Sequence, residues 1–513
     1  MKVLFIYTDM SSAVGYSTGI GALSAMLKRD GHETRLIHVS EDLDYPLERK
    51  RILADVHAFG PALICFSITT NQWYFARMIG EWIRNDCRIP IIVGGHHPMS
   101  DPDNVIKEPW VDILCRGEGD IILPEVVRRI GNHAPLDGIP NIYHKQEKVI
   151  IREPLQSWVK VLDTLPYEDR EIFNYSRIVN TRGGWAEVIV TRGCPYQCAY
   201  CFNKPLLEQY SRSYSTQEGT NFPAKNFINR RRSVDATINL LRQLRERYPT
   251  IKHFTFVDDV MAREGEWFEE FAHRYKKEIG LSYACTSQPL VFTRNLAKQL
   301  KESGCKVVKM GIEAGNERIR KQVLKRNISN DKLREVFAIA REFGLKPQAF
   351  NMIGLPGESI ENMMETIKLN AELRPYIVWL STFNPYPGTE LYRKCLHRDM
   401  IDESKWDEVD SYRGGSVLKE EFMPSQELKK IRILFRWHLN AFLGNSASDT
   451  FRRLIDEFDR LPDEYWENGV IEQKYKEKDT EIDLSLRNQD ISHYISKKYI
   501  NMFWGKEYDY DIS

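Results

Sequence analysis

The sequence predicts an α/β protein in three parts: an open, doubly wound parallel sheet, a partial (β/α)6 barrel and a mostly helical C-terminal region. Three observations predict it. Residues 1–140 alternate short apolar runs with longer amphipathic stretches, residues 181–400 repeat that alternation with six further runs, and from 401 helical periodicity rich in charge and aromatics takes over. At 513 residues the chain exceeds one ordinary core, so several units are expected. The boundaries fall at 1–140, a linker at 141–180, 181–400 and 401–513.

In the first part the runs "KVLFIY", "TRLIHV", "ALICFSI", "PIIVGG" and "VDILC" read as five parallel strands with helices on both faces. Ligands of such sheets bind beyond the carboxyl ends of the strands. The segments there are "TDMSSAVGYSTG", "TTNQ", "GGHHPMSDP" and "RGEGD", rich in glycine and small polar residues that permit close backbone approach. They supply the candidates Ser17, Thr18, Thr69, Thr70, Gln72, Gly94, Gly95, His96, His97, Gly117, Glu118 and Gly119. A nicotinamide fingerprint would need G-x-G-x-x-G directly after the first strand, and "GYSTGIG" has the wrong spacing. Cys65 and Cys115 read as small buried hydrophobes.

The second part offers "EVIVT", "HFTFV", "LSYACT", "KVVKMG", "PQAFNMI" and "YIVWLS" as strands separated by helices, and barrel chemistry collects at strand carboxyl ends. Those ends carry, in order, Cys194, Cys198 and Cys201; Asp258 and Asp259; Ser287 and Gln288; Glu313; Gly354, Pro356, Gly357 and Glu358; Phe383, Asn384 and Tyr386. The cysteine trio, in "TRGCPYQCAYCFN", carries most weight. A closed zinc site wants four ligands, and no second Cys or Cys/His pair at finger spacing lies nearby. A four-iron cluster on three thiolates leaves one iron open. "NRRRS", at 229–233, reads as a solvated helix start, with a contact to a carboxylate or phosphate as the alternative.

The C-x3-C-x2-C spacing, with "FTFVDDVM", "MGIEAGNERIRKQVLKRNIS" and "FNMIGLPGESIENMMETI" after it, resembles the radical S-adenosylmethionine (SAM) family. "VGGHHPMSDPDNVI" and "VDILCRGEGDIILPEVV" resemble the Rossmann-like cobalamin-binding domain that precedes the catalytic domain in B12-dependent members. The resemblance implies that Cys194, Cys198 and Cys201 hold a 4Fe-4S cluster. It implies that Tyr200, Phe202, Asp258, Asp259, Ser287, Gln288, Glu313, Gly354, Pro356 and Glu358 line SAM, with an aspartate holding the methionine amino group. Two segments depart from the family pattern: "VDD" stands for Gly-Gly-Glu, and Ala314 stands where many relatives have serine. The family's D-x-H-x-x-G cobalt motif is also absent, because "DGHETR" has Arg35 for glycine and precedes the second strand; His32 reads as a surface turn residue. Cobalamin is therefore expected base-off, with no histidine ligand.

The activity this implies is C-methylation, with phosphorus as a variation, through a 5′-deoxyadenosyl radical and methylcobalamin. Oxidation, cyclisation or rearrangement with the same cofactors is the alternative, and a non-catalytic cobalamin or iron–sulfur sensor is the third. The expected partners are a small-molecule or peptide substrate and an external electron donor such as flavodoxin or ferredoxin. Lys+Arg and Asp+Glu balance at 72 each, so nothing points to nucleic acid. No run approaches the roughly 18 apolar residues of a membrane span, and the N-terminus lacks a signal pattern, which predicts a cytoplasmic protein. The tail has no cysteine after Cys395, which argues against an auxiliary cluster.

Overall fold

The computed structural model describes residues 1–11, 14–215, 222–408, 414–467, 469–497 and 500–505. It divides into two compact units, residues 1–259 with 385–394, and residues 260–384 with 395–513.

In the first unit β1 (Lys2–Thr8), β2 (Glu33–Val39), β3 (Leu63–Ser67), β4 (Ile91–Gly94) and β5 (Ile113–Cys115) form a parallel sheet in the order β2-β1-β3-β4-β5. β1 and β3 are buried almost throughout, as strands covered on both faces must be. The helix Trp73–Asp86 buries Ala76, Ile79, Gly80 and Ile83 at helical spacing. Gly80 is needed there because a Cβ would lie 2.2 Å from the Trp110 ring. The helix after β1 starts at Ser17, whose hydroxyl accepts from the Ile20 amide.

The sheet then continues in a way the sequence reading assigned to linker. β6 (Ile142–Gln146) and β7 (Val149–Arg152) extend it as an antiparallel hairpin beside β5. Later in the same unit β8 (Trp185–Val188) pairs in parallel with β11 (His253–Phe256), and the short β9 (Thr191–Arg192) pairs with β10 (Arg230–Arg231).

In the second unit β12 (Ser282–Thr286), β13 (Cys305–Glu313), β14 (Lys346–Ile353) and β15 (Ile377–Thr382) run parallel in that order. The helices between them carry clear start signals: Thr293 caps the helix Arg294–Ser303, and Ser359 with Asn362 forms a capping box before Ile360–Leu373. The helices Ser425–Ala441 and Ser448–Asp459 bury Trp437, Phe451 and Phe458 in one cluster with Trp466. The C-terminal region is not wholly helical. β16 (His493–Lys497) and β17 (Ile500–Trp504) form a hairpin, and β17 pairs antiparallel with β15.

Candidate functional site

Within the first unit the strand-end loops surround a cavity of about 620 Å³, a volume usual for ligand sites. Thr18, Gly94, Gly95, His96, Gly117, Glu118 and Gly119 line one side, and Cys201, Phe202, Asn203, Asp258 and Asp259 line another. Cys65 and Cys115, both buried, also contribute to the wall. Residues as distant in sequence as Thr18 and Asp259 thus face one space, because β8 and β11 belong to the same compact unit as the N-terminal sheet.

The cysteine loop is held from several directions. Gly193 has φ +95°, and a Cβ there would lie 2.6 Å from Ile228 Cα, so only glycine fits at the loop's entry. The Cys201 amide donates to the Cys198 carbonyl at 3.2 Å, and the Leu391 amide to the Ala199 carbonyl at 3.0 Å. The Asn203 side-chain amide lies 3.6 Å from Cys201 Sγ and donates to Asp259 at 3.0 Å. Phe202 stacks between Tyr386 (5.3 Å) and His96 (5.4 Å), so one aromatic column joins the glycine loop after β4 to the cysteine loop.

The donor set fits an iron–sulfur cluster. Burial pushes the Cys194 thiol up to about 12 and the Cys201 thiol up to about 11, so deprotonation calls for the positive charge of bound metal. The three sulfurs are not among the ligand groups lying within 4.8 Å of one another in the described residues, the close gathering that one small tetrahedral ion would require.

Asp258 is buried, and one carboxylate oxygen accepts from the Val190 amide (2.9 Å), the Thr191 amide (2.6 Å) and the Thr191 hydroxyl (2.6 Å). These bonds clamp the turn leading to the cysteines, the work of a strand-end cap. Burial still lifts its pKa to about 6. Asp259, on the cavity wall beside Asn203 and His96, is the better placed of the two to meet a ligand ammonium.

Several candidates have other work. Gln72 is buried and bridges the Met10 amide and carbonyl, Thr69 donates to Asn71, and Thr70 sits 3.4 Å from His97 Nδ1. His97 is buried against Trp73, at 4.5 Å between rings, and burial pushes its pKa down to about 3. None of these four lines the cavity, and Ser17 is the helix cap described above. Glu118 reaches the cavity but is bonded to the Val159 amide (2.8 Å) and Arg230 (2.7 Å).

The segment "NRRRS" does start a helix, with Ser233 capping Val234–Arg247, but it is not solvated, and Arg230 and Arg232 reach the carboxylates of Glu118 and Glu168. Arg230 and Arg232 are only 6% and 5% exposed. Arg232 donates to the carbonyls of Leu162, Leu165 and Pro166. Arg192, two residues before Cys194, grips Asp120 through both guanidinium ends at 2.7 and 2.9 Å. Burial alone would raise Asp120, yet Arg192 holds its carboxyl below the usual range. The acidic residues of "RGEGD" therefore anchor the cysteine loop. Opposite charges some 70 to 110 positions apart were the only sequence signal, and a single sequence does not show which of them pair.

In the second unit the remaining candidates form their own set. Arg326, which sequence reasoning missed, donates to Gln288 Oε1 (3.2 Å) and the Gly311 carbonyl (2.9 Å) and lies 3.8 Å from Glu313. Glu313 sits at φ +68° beside a register shift at the end of β13. The Ser287 hydroxyl donates to the Ala262 carbonyl at 2.9 Å. In the loop after β14, Glu358 accepts from the Leu355 amide at 2.9 Å through one oxygen, while the other is buried with no hydrogen-bond partner. Tyr200 is half-buried on the cysteine loop of the first unit, outside its cavity, and Pro356 is half-buried in the loop after β14.

Burial lifts Glu358 from 4.5 to about 8. Its folded pKa lies above its unfolded one, so the stability it contributes is complete below about pH 4.5 and is lost as pH rises through about 8. Glu358→Gln should flatten the pH dependence of Tm across that window, with a gain on the order of 3 kcal/mol at its alkaline end. Parallel Tm profiles for wild type and variant would refute the assignment.

Two family matches follow the same order along the chain: the B12 binding domain over residues 7–127 and the radical SAM superfamily over residues 188–369. The chain thus carries the two domains of a cobalamin-dependent radical SAM enzyme, and its relatives include named methyltransferases. It is 25% identical to an uncharacterized methyltransferase, PH0819, of Pyrococcus horikoshii over 84% of this chain and 90% of the relative. It is 22% identical to the cytidylyl-2-hydroxyethylphosphonate methyltransferase of Streptomyces wedmorensis (83% and 86%). It is 21% identical to the anaerobic magnesium-protoporphyrin IX monomethyl ester cyclase of Rubrivivax gelatinosus (83% and 75%). The fold is similar to that of the radical SAM methyltransferase TsrM from Kitasatospora setae, solved with cobalamin and a [4Fe-4S] cluster, at TM-score 0.61 and 15% identity over 77% of this chain and 75% of that one. No helix among the described residues is long and apolar enough to cross a membrane.

Proposed function

We propose that this protein methylates an unactivated carbon, with residues 1–152, the hairpin β6–β7 included, forming the cobalamin-binding part, 153–180 linking, 181–400 holding the cluster and SAM, and 401–513 packing as a largely helical domain. One observation carries the reading: a single cavity is lined by both the glycine loops of the N-terminal sheet and Cys201, Phe202 and Asp259. When bound, the corrin supplies the transferable methyl group, and the cluster with SAM supplies the radical that removes a hydrogen atom.

The chain's own part is placement. Gly94, Gly95, Gly117 and Gly119 give backbone approach to the corrin, Cys194, Cys198 and Cys201 hold iron, and Asp259 receives the methionine ammonium. The Phe202 column fixes the distance between the two halves of the cavity. Gln288, Glu313 and Glu358, with Gly354 and Pro356, remain candidates for the rest of SAM. The proposal takes cobalamin as base-off, with no histidine on cobalt: His97 is packed on Trp73, and His96, which lines the cavity, is stacked on Phe202. A flavodoxin- or ferredoxin-type donor and a cytoplasmic location complete the proposal.

The similarity to the cyclase favours a second reading, in which both cofactors serve a ring-forming oxidation. Methyl-labelled SAM separates them before a substrate is known. With the reduced, fully loaded enzyme, methyl transfer predicts S-adenosylhomocysteine and label on the corrin. Formation of 5′-deoxyadenosine with an unlabelled corrin would favour the cyclase chemistry and defeat the proposal. The phosphonate relative makes phosphorus the variation to test once a substrate is found.

A further inference from the structure

We propose that Asp137, His144 and Glu153 form a binding site for a divalent cation of the zinc class at the outer edge of the N-terminal sheet. One ligand atom from each lies within 4.8 Å of the others. The decisive feature is His144. It is 4% exposed, and its Nε2 is buried with no hydrogen-bond partner, 3.9 Å from Asp137 Oδ1. That separation is too long for a hydrogen bond. Two ligands sharing a cation through bonds of about 2.1 Å stand roughly 3 to 3.5 Å apart, so a small rotation of the exposed Asp137 side chain closes the gap.

The backbone around the three groups is already tied down. Arg129 donates to the carbonyls of Pro135 (2.8 Å) and Asp137 (2.7 Å), the Gly138 amide donates to Glu153 Oε1 (2.6 Å), and the Glu153 amide donates to the Ile142 carbonyl (2.9 Å). The nearby cations are engaged elsewhere: Arg152 pairs with Asp103, and Lys145 reaches the Glu108 carbonyl. One imidazole nitrogen with two carboxylates suits zinc, and manganese or cobalt after it, better than magnesium or calcium. His144 stands opposite Ile113, at the amino end of β5, whereas the cavity is lined by Cys115 at that strand's carboxyl end. The cation's role is therefore to fasten the loop over 133–141 to the β6–β7 hairpin, away from the radical chemistry.

The test uses the full chain with its iron–sulfur cluster reconstituted, so that the three cysteines are occupied. After dialysis against buffered micromolar zinc, elemental analysis should find about one zinc per chain at unchanged iron, with Asp137→Asn and Glu153→Gln each weakening zinc affinity on the order of tenfold or more. Because both side chains reach the surface, these variants test the site without emptying the core as His144→Ala would. Zinc should also slow amide exchange over 136–144 in the wild type and not in Asp137→Asn. Equal zinc in wild type and both variants, no zinc in the wild type, or protection confined to other segments would each overturn the proposal.

Discussion

Reductive cleavage of SAM falls on the order of a thousandfold or more in Cys201→Ala, while cobalamin uptake persists. The physical reason is the donor count. On the proposed assignment Cys194, Cys198 and Cys201, the second buried and the other two half-buried, are the cluster's three protein ligands, and an alanine offers no sulfur in place of the third. Cys201 lies on the cavity wall, but the glycine loops that we assign to the corrin lie on other strands, so the two losses separate. The measurements are iron content, 5′-deoxyadenosine formation and the corrin absorbance of the purified protein. A variant that keeps its iron and its 5′-deoxyadenosine would remove Cys201 from the cluster. One that loses cobalamin in parallel would instead indicate a collapsed fold.

The second large effect is expected at Gly95. Its φ of 100° and ψ of −169° lie in a region that only glycine occupies comfortably. A Cβ would stand 2.6 Å from the Ile68 amide nitrogen and 2.7 Å from its carbonyl oxygen. Those two groups bond the Gly94 carbonyl (2.8 Å) and the His97 amide (3.0 Å), so alanine must break the seam holding the β4 loop to the end of β3. Strain of about 1–3 kcal/mol and overpacking of about 1–3 kcal/mol together predict a destabilisation of about 2–6 kcal/mol. Cobalamin retention should fall with it, because His96 and the glycines move together. Gly357→Ala is the matched control: its φ is 74° but nothing lies within 4 Å of the added carbon, so only the backbone strain of about 1 kcal/mol applies. Equal denaturation midpoints for the two variants would show that the Ile68 contact does not matter.

Much of this molecule is legible because alternation and strand-end chemistry are local. The runs "KVLFIY" and "ALICFSI" mark β1 and β3, and "TRGCPYQCAYCFN" marks the proposed cluster loop, since its three cysteines are spaced within one loop. Glycines at 94, 95, 117 and 119 likewise flag the cavity wall. That Gln72 bridges the Met10 amide and carbonyl was not legible, because those partners are backbone groups 62 positions away. The hairpin β16–β17 was read as part of a helical tail. Its strand character depends on an edge offered by β15, which no local pattern announces.

Legible along the chain are the order of parts, the cysteine trio and the glycine-rich strand ends, all properties of short contiguous segments. The tertiary structure decided which polar residues hold the fold and which face the ligand. Asp258 became a clamp on the turn before the cysteines, Arg230 and Arg232 became buried struts, Glu118 anchors Arg230, and Asp120 anchors Arg192. The reason is electrostatic: a buried charge must find an opposite partner or several hydrogen-bond donors or acceptors, and those partners are chosen by how distant segments pack.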